Sequence, residues 1–197
     1  MATTAQVKTA QAGLRKIGWP LKKDGVAGRR TKAAVIQFKR GYAWPDRPRD
    51  FSSLNGYLGG VVRERIEAIA DNNGKCSAHF RYREWKSNGN GWIKLNYRVV
   101  RGLEVYRKRV GHGVEVISGY RDCDYNDSVR GAARCSRHSD CCGNPGGDAC
   151  DLNPELSFKE VKALKRFTGI GIIRSSGLVR HVDVRPGSVR RPTTWFY

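Results

Sequence analysis

The chain has 197 residues, of which 39% are hydrophobic and 28% are charged, a composition typical of globular proteins with a sizeable core. No window approaches the roughly 18 apolar residues of a membrane span, and no apolar segment follows the basic residues of the N-terminus. We therefore expect neither a membrane span nor a secretory signal, and synthesis in the cytoplasm. Lys and Arg number 37 against 18 Asp and Glu, and the net charge of +19 favours polyanionic partners such as nucleic acid, anionic lipid or acidic wall polymers.

The first part of the chain contains an internal repeat. Residues 24–38 and 55–69 each combine a turn signal, a glycine three residues later and apolar residues at helical spacing. A preceding helix is predicted from apolar residues at spacings of three and four: Val7, Ala10, Leu14 and Ile17. We expect three short helices that form a compact module over residues 1–72.

The second part of the chain, residues 76–197, mixes helical and strand signals. A helix is predicted at residues 97–110, and Ser157 and Glu160 have the spacing of a capping box at the start of another helix. Strands are predicted at residues 114–121 and, as the last strand, at residues 178–185. Because the predicted strands and helices do not alternate regularly, we expect an α+β fold with a small antiparallel sheet.

Two segments contain residue types that are typical of a metal site. Side chains two apart in a strand share a face, so His181 and Asp183 should point the same way from the predicted last strand. The segment SRHSDCCGNPGGDACD, residues 136–151, adds His138 and Asp151. Two histidines and one carboxylate leave a fourth position open for water, as in catalytic zinc sites. The alternative is an ordinary His-Asp pair on a solvated strand face.

Three motifs resemble a known family. SGYR (118–121), the segment at residues 136–151 and HVD (181–183) resemble, in order and approximate separation, the signatures of the zinc D-Ala-D-Ala carboxypeptidases and related phage endolysin peptidases. The resemblance covers nearly all of residues 78–197. It implies a zinc peptidase domain in this half of the chain.

A second resemblance concerns the N-terminal half. The segment from Val7 to Arg40 resembles the three-helix peptidoglycan-binding module that is often fused to cell-wall hydrolases. The two resemblances imply a peptidoglycan-binding domain at residues 1–72 and a catalytic domain at residues 76–197. Both halves therefore point to the same substrate.

The family resemblance implies a role for each matching residue. His138, Asp151 and His181 would bind Zn²⁺, with water in the open position. Arg121 would stabilise the developing oxyanion, and Ser136 would hydrogen-bond the substrate. For Arg121 the alternative is an ion pair with one of the two aspartates that follow it closely in sequence, at positions 122 and 124.

The chain departs from the family pattern in two ways. Twelve residues separate the first ligand histidine from Asp151, more than the family usually has, with CCGNPG as the extra loop. The frame G-x-A-x-D selects Asp151 over Asp148 as the ligand. Several relatives have a carboxylate three residues before the last ligand histidine, where this chain has Leu178. Asp183 is the best remaining candidate for the general base, and its alternative role is to orient that histidine.

The six cysteines have three competing explanations. Five of them flank the predicted site, and Cys76 lies at the start of the second domain. They could form disulfides after release into an oxidising space, hold a second structural zinc, or pack inertly. Disulfides are favoured because neither a C-x-x-C spacing nor a paired histidine occurs. His79 and His112 have no partner residues nearby in sequence and are predicted to be structural or exposed.

The sequence as a whole predicts a monomeric, two-domain cell-wall lysin. It would cut an amide bond of the peptidoglycan peptide stem or cross-bridge, as a D,D-carboxypeptidase or an endopeptidase, and its charge would hold it on anionic wall polymers. Like a phage endolysin, it would be made in the cytoplasm and act at the wall after release. The alternative is a non-catalytic basic protein that binds the wall or nucleic acid. Against nucleic acid, the basic residues are spread along the chain and no known readout motif occurs.

Overall fold

The computed structural model describes residues 1–197 and has an α+β fold, as predicted. Its helices are α1 Thr4–Ile17, α2 Arg29–Gly41, α3 Gly60–Asp71, α4 Tyr97–Val110, α5 Cys123–Ser128 and α6 Phe158–Ala163. Its strands are β1 Val116–Ser118, β2 Ala149–Leu152, β3 Gly169–Ile172, β4 Val179–Asp183 and β5 Thr193–Phe196. Short 3₁₀ turns lie at Arg49–Ser52, Tyr82–Trp85 and Cys141–Gly143. No helix combines the length and the apolar character that crossing a bilayer requires.

The five strands form one sheet in the order β1-β2-β4-β3-β5. Neighbouring strands run antiparallel except β3 and β5, which run parallel, so the predicted antiparallel pairing holds for all but this edge pair. The central strand β4 lies between β2 and β3. This arrangement places the HVD motif in the middle of the sheet.

Two strand predictions need correction. The strand predicted at residues 114–121 is formed only at Val116–Ser118. The prediction that residues 178–185 form the last strand was wrong, because β5 follows and pairs with β3. β5 is an edge strand of four residues whose side chains are mostly exposed, so it lacks the apolar alternation by which strands are recognised.

The predicted N-terminal helices are all present. Thr3 and Gln6 cap α1 with reciprocal side-chain to backbone hydrogen bonds. The apolar face predicted for α1 is buried, and α1 packs against α3, where Gly13 of α1 allows close approach of Ile66. The apolar residues of α2 and α3 complete this small core, as the repeat predicts.

The capping box predicted at the start of α6 is formed. The Glu160 N–H donates to Ser157 Oγ over 3.4 Å, and the Ser157 N–H donates to the Glu160 carboxylate over 3.1 Å. The helix is nevertheless only six residues long. It ends early because the backbone turns at Lys165, which adopts a φ of 52°.

The predicted domain boundary coincides with the end of α3, but one hydrophobic core continues across it. The Phe38 ring stacks on the Tyr82 ring at a centroid distance of 5.5 Å, and the Tyr82 hydroxyl donates to the Phe38 carbonyl over 2.7 Å. The Trp19 Nε1–H donates to the Ile93 carbonyl over 3.2 Å. The N-terminal helices are therefore packed directly against the second half of the chain.

A buried ion pair also joins the two halves. The guanidinium of Arg40, on α2, pairs with Asp148 and donates to the Gly146 carbonyl, and the two charged side chains are 10% and 8% exposed. The Asn96 side chain donates to the same Asp148 carboxylate over 2.9 Å. Because Asp148 directly precedes β2, α2 is connected to the strand that carries Asp151.

We expect Arg40→Met to lower the free energy of unfolding by about 3 kcal/mol, because it leaves the Asp148 carboxylate buried without its cation. The matched control is Lys16→Met, which breaks an ion pair with Asp71 whose side chains are 62% and 79% exposed. This control should change stability by less than about 1 kcal/mol. Urea unfolding of both variants measures the difference, and equal effects would contradict a coupling role for Arg40.

Candidate metal centre

Three side chains meet beside the adjacent strands β2 and β4. Asp151 on β2 lies opposite His181 on β4 in the strand register, and His138 comes from the loop before β2. The His138 Nε2 atom is 3.1 Å from His181 Nδ1 and 3.2 Å from Asp151 Oδ1, and His181 Nδ1 is 2.9 Å from the same oxygen. The structure therefore brings together the three residues that were predicted as metal ligands.

In each imidazole, the outer nitrogen, which is the one that does not face Asp151, has a hydrogen-bond partner. The His138 Nδ1 atom lies 2.6 Å from the Gly119 carbonyl, which can only accept a hydrogen bond. The His181 Nε2 atom lies 3.3 Å from the Asp183 carboxylate. With protons held on these outer atoms, His138 Nε2 and His181 Nδ1 direct lone pairs at each other and at Asp151. Three converging electron-pair donors repel one another unless a cation lies between them, so the donor set fits a metal ion.

The pKa shifts of His138 and Asp151 agree with the protonation states that metal ligands need, whereas the shift of His181 in the metal-free protein favours its charged form. Burial lowers the pKa of His138. Burial alone would also lower the pKa of His181, but its hydrogen bonds with Asp151 and Asp183 outweigh this effect and raise it. Burial would raise the pKa of Asp151, yet the adjacent side chains of His138 and His181 hold it well below its usual range. Asp151 is thus a carboxylate and His138 a neutral imidazole.

Asp183 lies behind the centre. Its side chain is fully buried, and it accepts hydrogen bonds from the Arg185 backbone N–H at 3.1 Å and from Arg185 Nε at 2.9 Å. Burial would raise the pKa of Asp183, but its hydrogen bonds with His181 and Arg185 keep the pKa below its usual value. Asp183 is not among the residues that line the cavity over the centre. This geometry favours the role of orienting His181 over that of general base.

We expect Asp183→Asn to weaken zinc binding by about 10- to 100-fold, because the amide cannot hold the His181 proton as a carboxylate does. Asp127→Asn, which changes an exposed aspartate on α5, is the control and should leave the affinity unchanged. Isothermal titration calorimetry with zinc measures both affinities. An unchanged zinc affinity in Asp183→Asn would show that Asp183 does not orient His181 for metal binding.

A cavity of about 820 Å³ opens over the three candidate ligands. Residues 129–133 and 135–138 line it, as do Trp195 and Tyr197. Cavities that bind small molecules and short peptides have volumes of roughly 300 to 1,000 Å³. The candidate metal centre is therefore accessible to a substrate of a few residues.

Arg121 and Ser136 both line this cavity, as their predicted roles require. Arg121 Nη2 donates to Asp151 Oδ2 over 2.7 Å, and its Nε donates to Ser118 Oγ over 2.9 Å. It pairs with neither of the two aspartates that follow it in sequence. The Ser136 hydroxyl accepts a hydrogen bond from the backbone N–H of the ligand His138 over 3.3 Å.

The aromatic residues of β5 were not predicted as site residues. The Trp195 ring lies edge-on to the His181 ring with centroids 4.9 Å apart, and the Arg185 guanidinium lies 4.8 Å from the Trp195 centroid. Tyr197 lines the same cavity. The aromatic cluster TTWFY was the one signal in the sequence that could have drawn attention to this wall.

Four of the cysteines form two disulfides, Cys123–Cys141 and Cys135–Cys142, with Cα separations of 5.5 and 5.4 Å. The bonds fasten the CCGNPG insertion to the start of α5 and to the loop before His138, and Cys135 itself lines the cavity. The remaining thiols, Cys76 and Cys150, are buried. The disulfide interpretation therefore fits the structure better than a second zinc site.

We expect reduction of the disulfides to destabilise the cavity wall. Replacing both Cys135 and Cys142 with serine should lower the free energy of unfolding by about 2 kcal/mol, because the closed loop is short. Thermal unfolding in metal-free buffer, with and without reductant, measures the effect. Peptide mapping without reduction should recover both cross-links, and free thiols at these positions in oxidised protein would contradict the pairing.

The two other histidines lie outside the site. His79 Nδ1 is 2.7 Å from the Glu104 carboxylate, and His112 Nε2 is 2.8 Å from the Glu155 carboxylate. Their side chains are 47% and 64% exposed. Each has a partner that is distant in sequence, and the positions are exposed as predicted.

Comparison of the sequence with models of protein families and with curated proteins found no match in either case. The interpretation of this centre therefore depends on its geometry and on the three short motifs.

Proposed function

We propose that this protein is a zinc-dependent peptidoglycan peptidase that hydrolyses an amide bond of the peptide stem or cross-bridge. The observation that supports it most strongly is the convergence of His138, Asp151 and His181 at an accessible cavity, with ligand atoms within 4.8 Å of one another. Two imidazoles and a carboxylate suit Zn²⁺ and leave one coordination position for water. Zinc in such a site activates water near neutral pH and polarises a carbonyl oxygen.

Arg121 is positioned to stabilise negative charge on the substrate. A guanidinium has five N–H donors, and here one donates to Asp151 and one to Ser118. The others remain for a substrate oxygen in the cavity. A preorganised donor that meets an oxyanion contributes about 3 to 4 kcal/mol to transition-state stabilisation.

Ser136 would bind the substrate, and other groups of the chain hold the two imidazoles in their orientations. The Ser136 oxygen accepts the His138 N–H, so its own O–H is free to donate to the substrate backbone. The Gly119 carbonyl and Asp183 fix the two imidazoles, which keeps their inner nitrogens unprotonated. Trp195 packs on the His181 ring and restricts its motion.

The N-terminal helices and the charge of the chain support attachment to the wall. The net charge of +19 attracts anionic wall polymers, and the three-helix module is packed against the catalytic half. We infer that a single chain binds and cuts its substrate as a monomer, after synthesis in the cytoplasm and release to the wall.

Mass spectrometry of purified peptidoglycan tests the proposal. Native protein should release new amino and carboxyl termini, chelator-treated protein should not, and added zinc should restore the products. The masses identify the bond and distinguish carboxypeptidase from endopeptidase action. Unchanged peptidoglycan with intact wall binding would indicate a non-catalytic binder, and full hydrolysis by metal-free protein would rule out the zinc mechanism.

A further inference from the structure

The cavity over the candidate metal centre contains a marked excess of positive charge. Five arginines line it: Arg121, Arg130, Arg137, Arg180 and Arg185. Asp151 is the one aspartate or glutamate among the lining residues, and it already contacts both ligand histidines. The positive charge of the cavity is therefore largely uncompensated.

Only two of these arginines have carboxylate partners. Arg121 pairs with Asp151, and Arg185 pairs with the buried Asp183. Three arginines form neither a salt bridge nor a side-chain hydrogen bond within the protein: Arg130, Arg137 and Arg180. Their guanidinium groups are free to bind a ligand.

The three free arginines line the same cavity as the candidate metal ligands. Arg137 directly precedes His138, and Arg180 directly precedes His181, so each is adjacent in sequence to a candidate metal ligand. Arg130 lies in the segment of residues 129–138, most of which lines the cavity. Like charges around a concave site raise its potential and concentrate anions there. The planar guanidinium matches carboxylates with paired hydrogen bonds.

We propose that this cavity selects an acidic peptide, one with free carboxylates on the residues that flank the scissile amide. This inference rests on the proposed peptidase function and specifies its substrate class. Arg137 and Arg180 bind these carboxylates, and Arg130 extends the site. The cavity of about 820 Å³ admits a few peptide residues.

The test uses two peptidoglycan-stem peptides that differ only in whether the side-chain carboxylates next to the scissile bond are free or amidated. We expect the free-acid peptide to have a kcat/KM at least about tenfold higher, mainly through a lower KM. Arg137→Gln and Arg180→Gln should each reduce this preference by about tenfold. Arg134→Gln is the matched control, because Arg134 is exposed in the same segment but does not line the cavity.

A binding measurement separates this inference from the peptidase proposal. The same two peptides are labelled with a fluorophore and titrated with protein from which a chelator has removed the metal. Fluorescence anisotropy then gives the Kd of each peptide without turnover. Equal hydrolysis of both peptides, or an unchanged preference in Arg137→Gln and Arg180→Gln, would overturn the acidic-substrate inference but leave the peptidase intact. If neither peptide is cut, the peptidase proposal fails for these substrates, and the Kd values decide: tighter binding of the free acid supports the inference, and equal affinity overturns it.

Discussion

Replacing His181 with alanine is expected to abolish zinc binding and to reduce peptidoglycan hydrolysis on the order of a thousandfold or more. His181 contributes Nδ1 to the centre, 2.9 Å from the Asp151 oxygen and 3.1 Å from His138 Nε2. Without it, one imidazole and one carboxylate remain, too few to hold zinc against a chelator. The buried Asp183 would also lose its imidazole partner.

The variant needs two further measurements. Circular dichroism and thermal unfolding check that the fold is retained, and binding to whole peptidoglycan checks the N-terminal module. His112→Ala is the control, because His112 is exposed and pairs with Glu155 outside the site. A His181→Ala protein that still hydrolyses peptidoglycan at the native rate would show that this centre is not catalytic.

Gly147→Ala is expected to lower the free energy of unfolding by about 4 kcal/mol. Gly147 has a φ of +68°, and a Cβ atom there would overlap the backbone carbonyl of Lys94 and lie 2.8 Å from the Leu95 nitrogen. Since both neighbours are backbone, a side-chain rotation cannot relieve the overlap. The Gly147 N–H also donates to the His138 carbonyl over 3.2 Å, so a backbone shift at Gly147 would also move this candidate ligand.

Gly143→Ala is the matched control for this substitution. Gly143 has a similar φ of +74°, but a Cβ atom there would have no neighbour within 4 Å. It should lose about 1 kcal/mol, from the left-handed backbone alone. Urea unfolding of both variants isolates the effect of the close approach to Lys94. Similar losses for the two would mean that the backbone approach has no energetic consequence.

The candidate ligands could be predicted from sequence because their signals are local. The spacing of two between His181 and Asp183 predicts that both lie on one strand face, and the G-x-A-x-D frame, which comes from the family resemblance, selects Asp151. Both predictions agree with the strand register and the contacts. The partner of Arg121 could not be predicted in this way, because Asp151 lies 30 residues away and meets it only through the fold.

Other features depend on long-range packing. β3 contains two glycines, and all four of its residues are buried. Because polar and apolar residues do not alternate along it, the sequence shows no periodicity from which a strand could be predicted. The composition change after α3 predicts two domains. It does not reveal that Trp19 and Phe38 pack against Tyr82 across the boundary. Burial of these large rings depends on which segments meet in the folded chain.

The most direct test of the metal centre is anomalous diffraction at the zinc absorption edge from crystals grown with zinc. We expect one strong peak between His138 Nε2, His181 Nδ1 and the Asp151 carboxylate, and no such peak in crystals of His181→Ala. Absence of a peak at these atoms, or a peak only at the cysteines, would contradict the assignment of this site as the zinc centre.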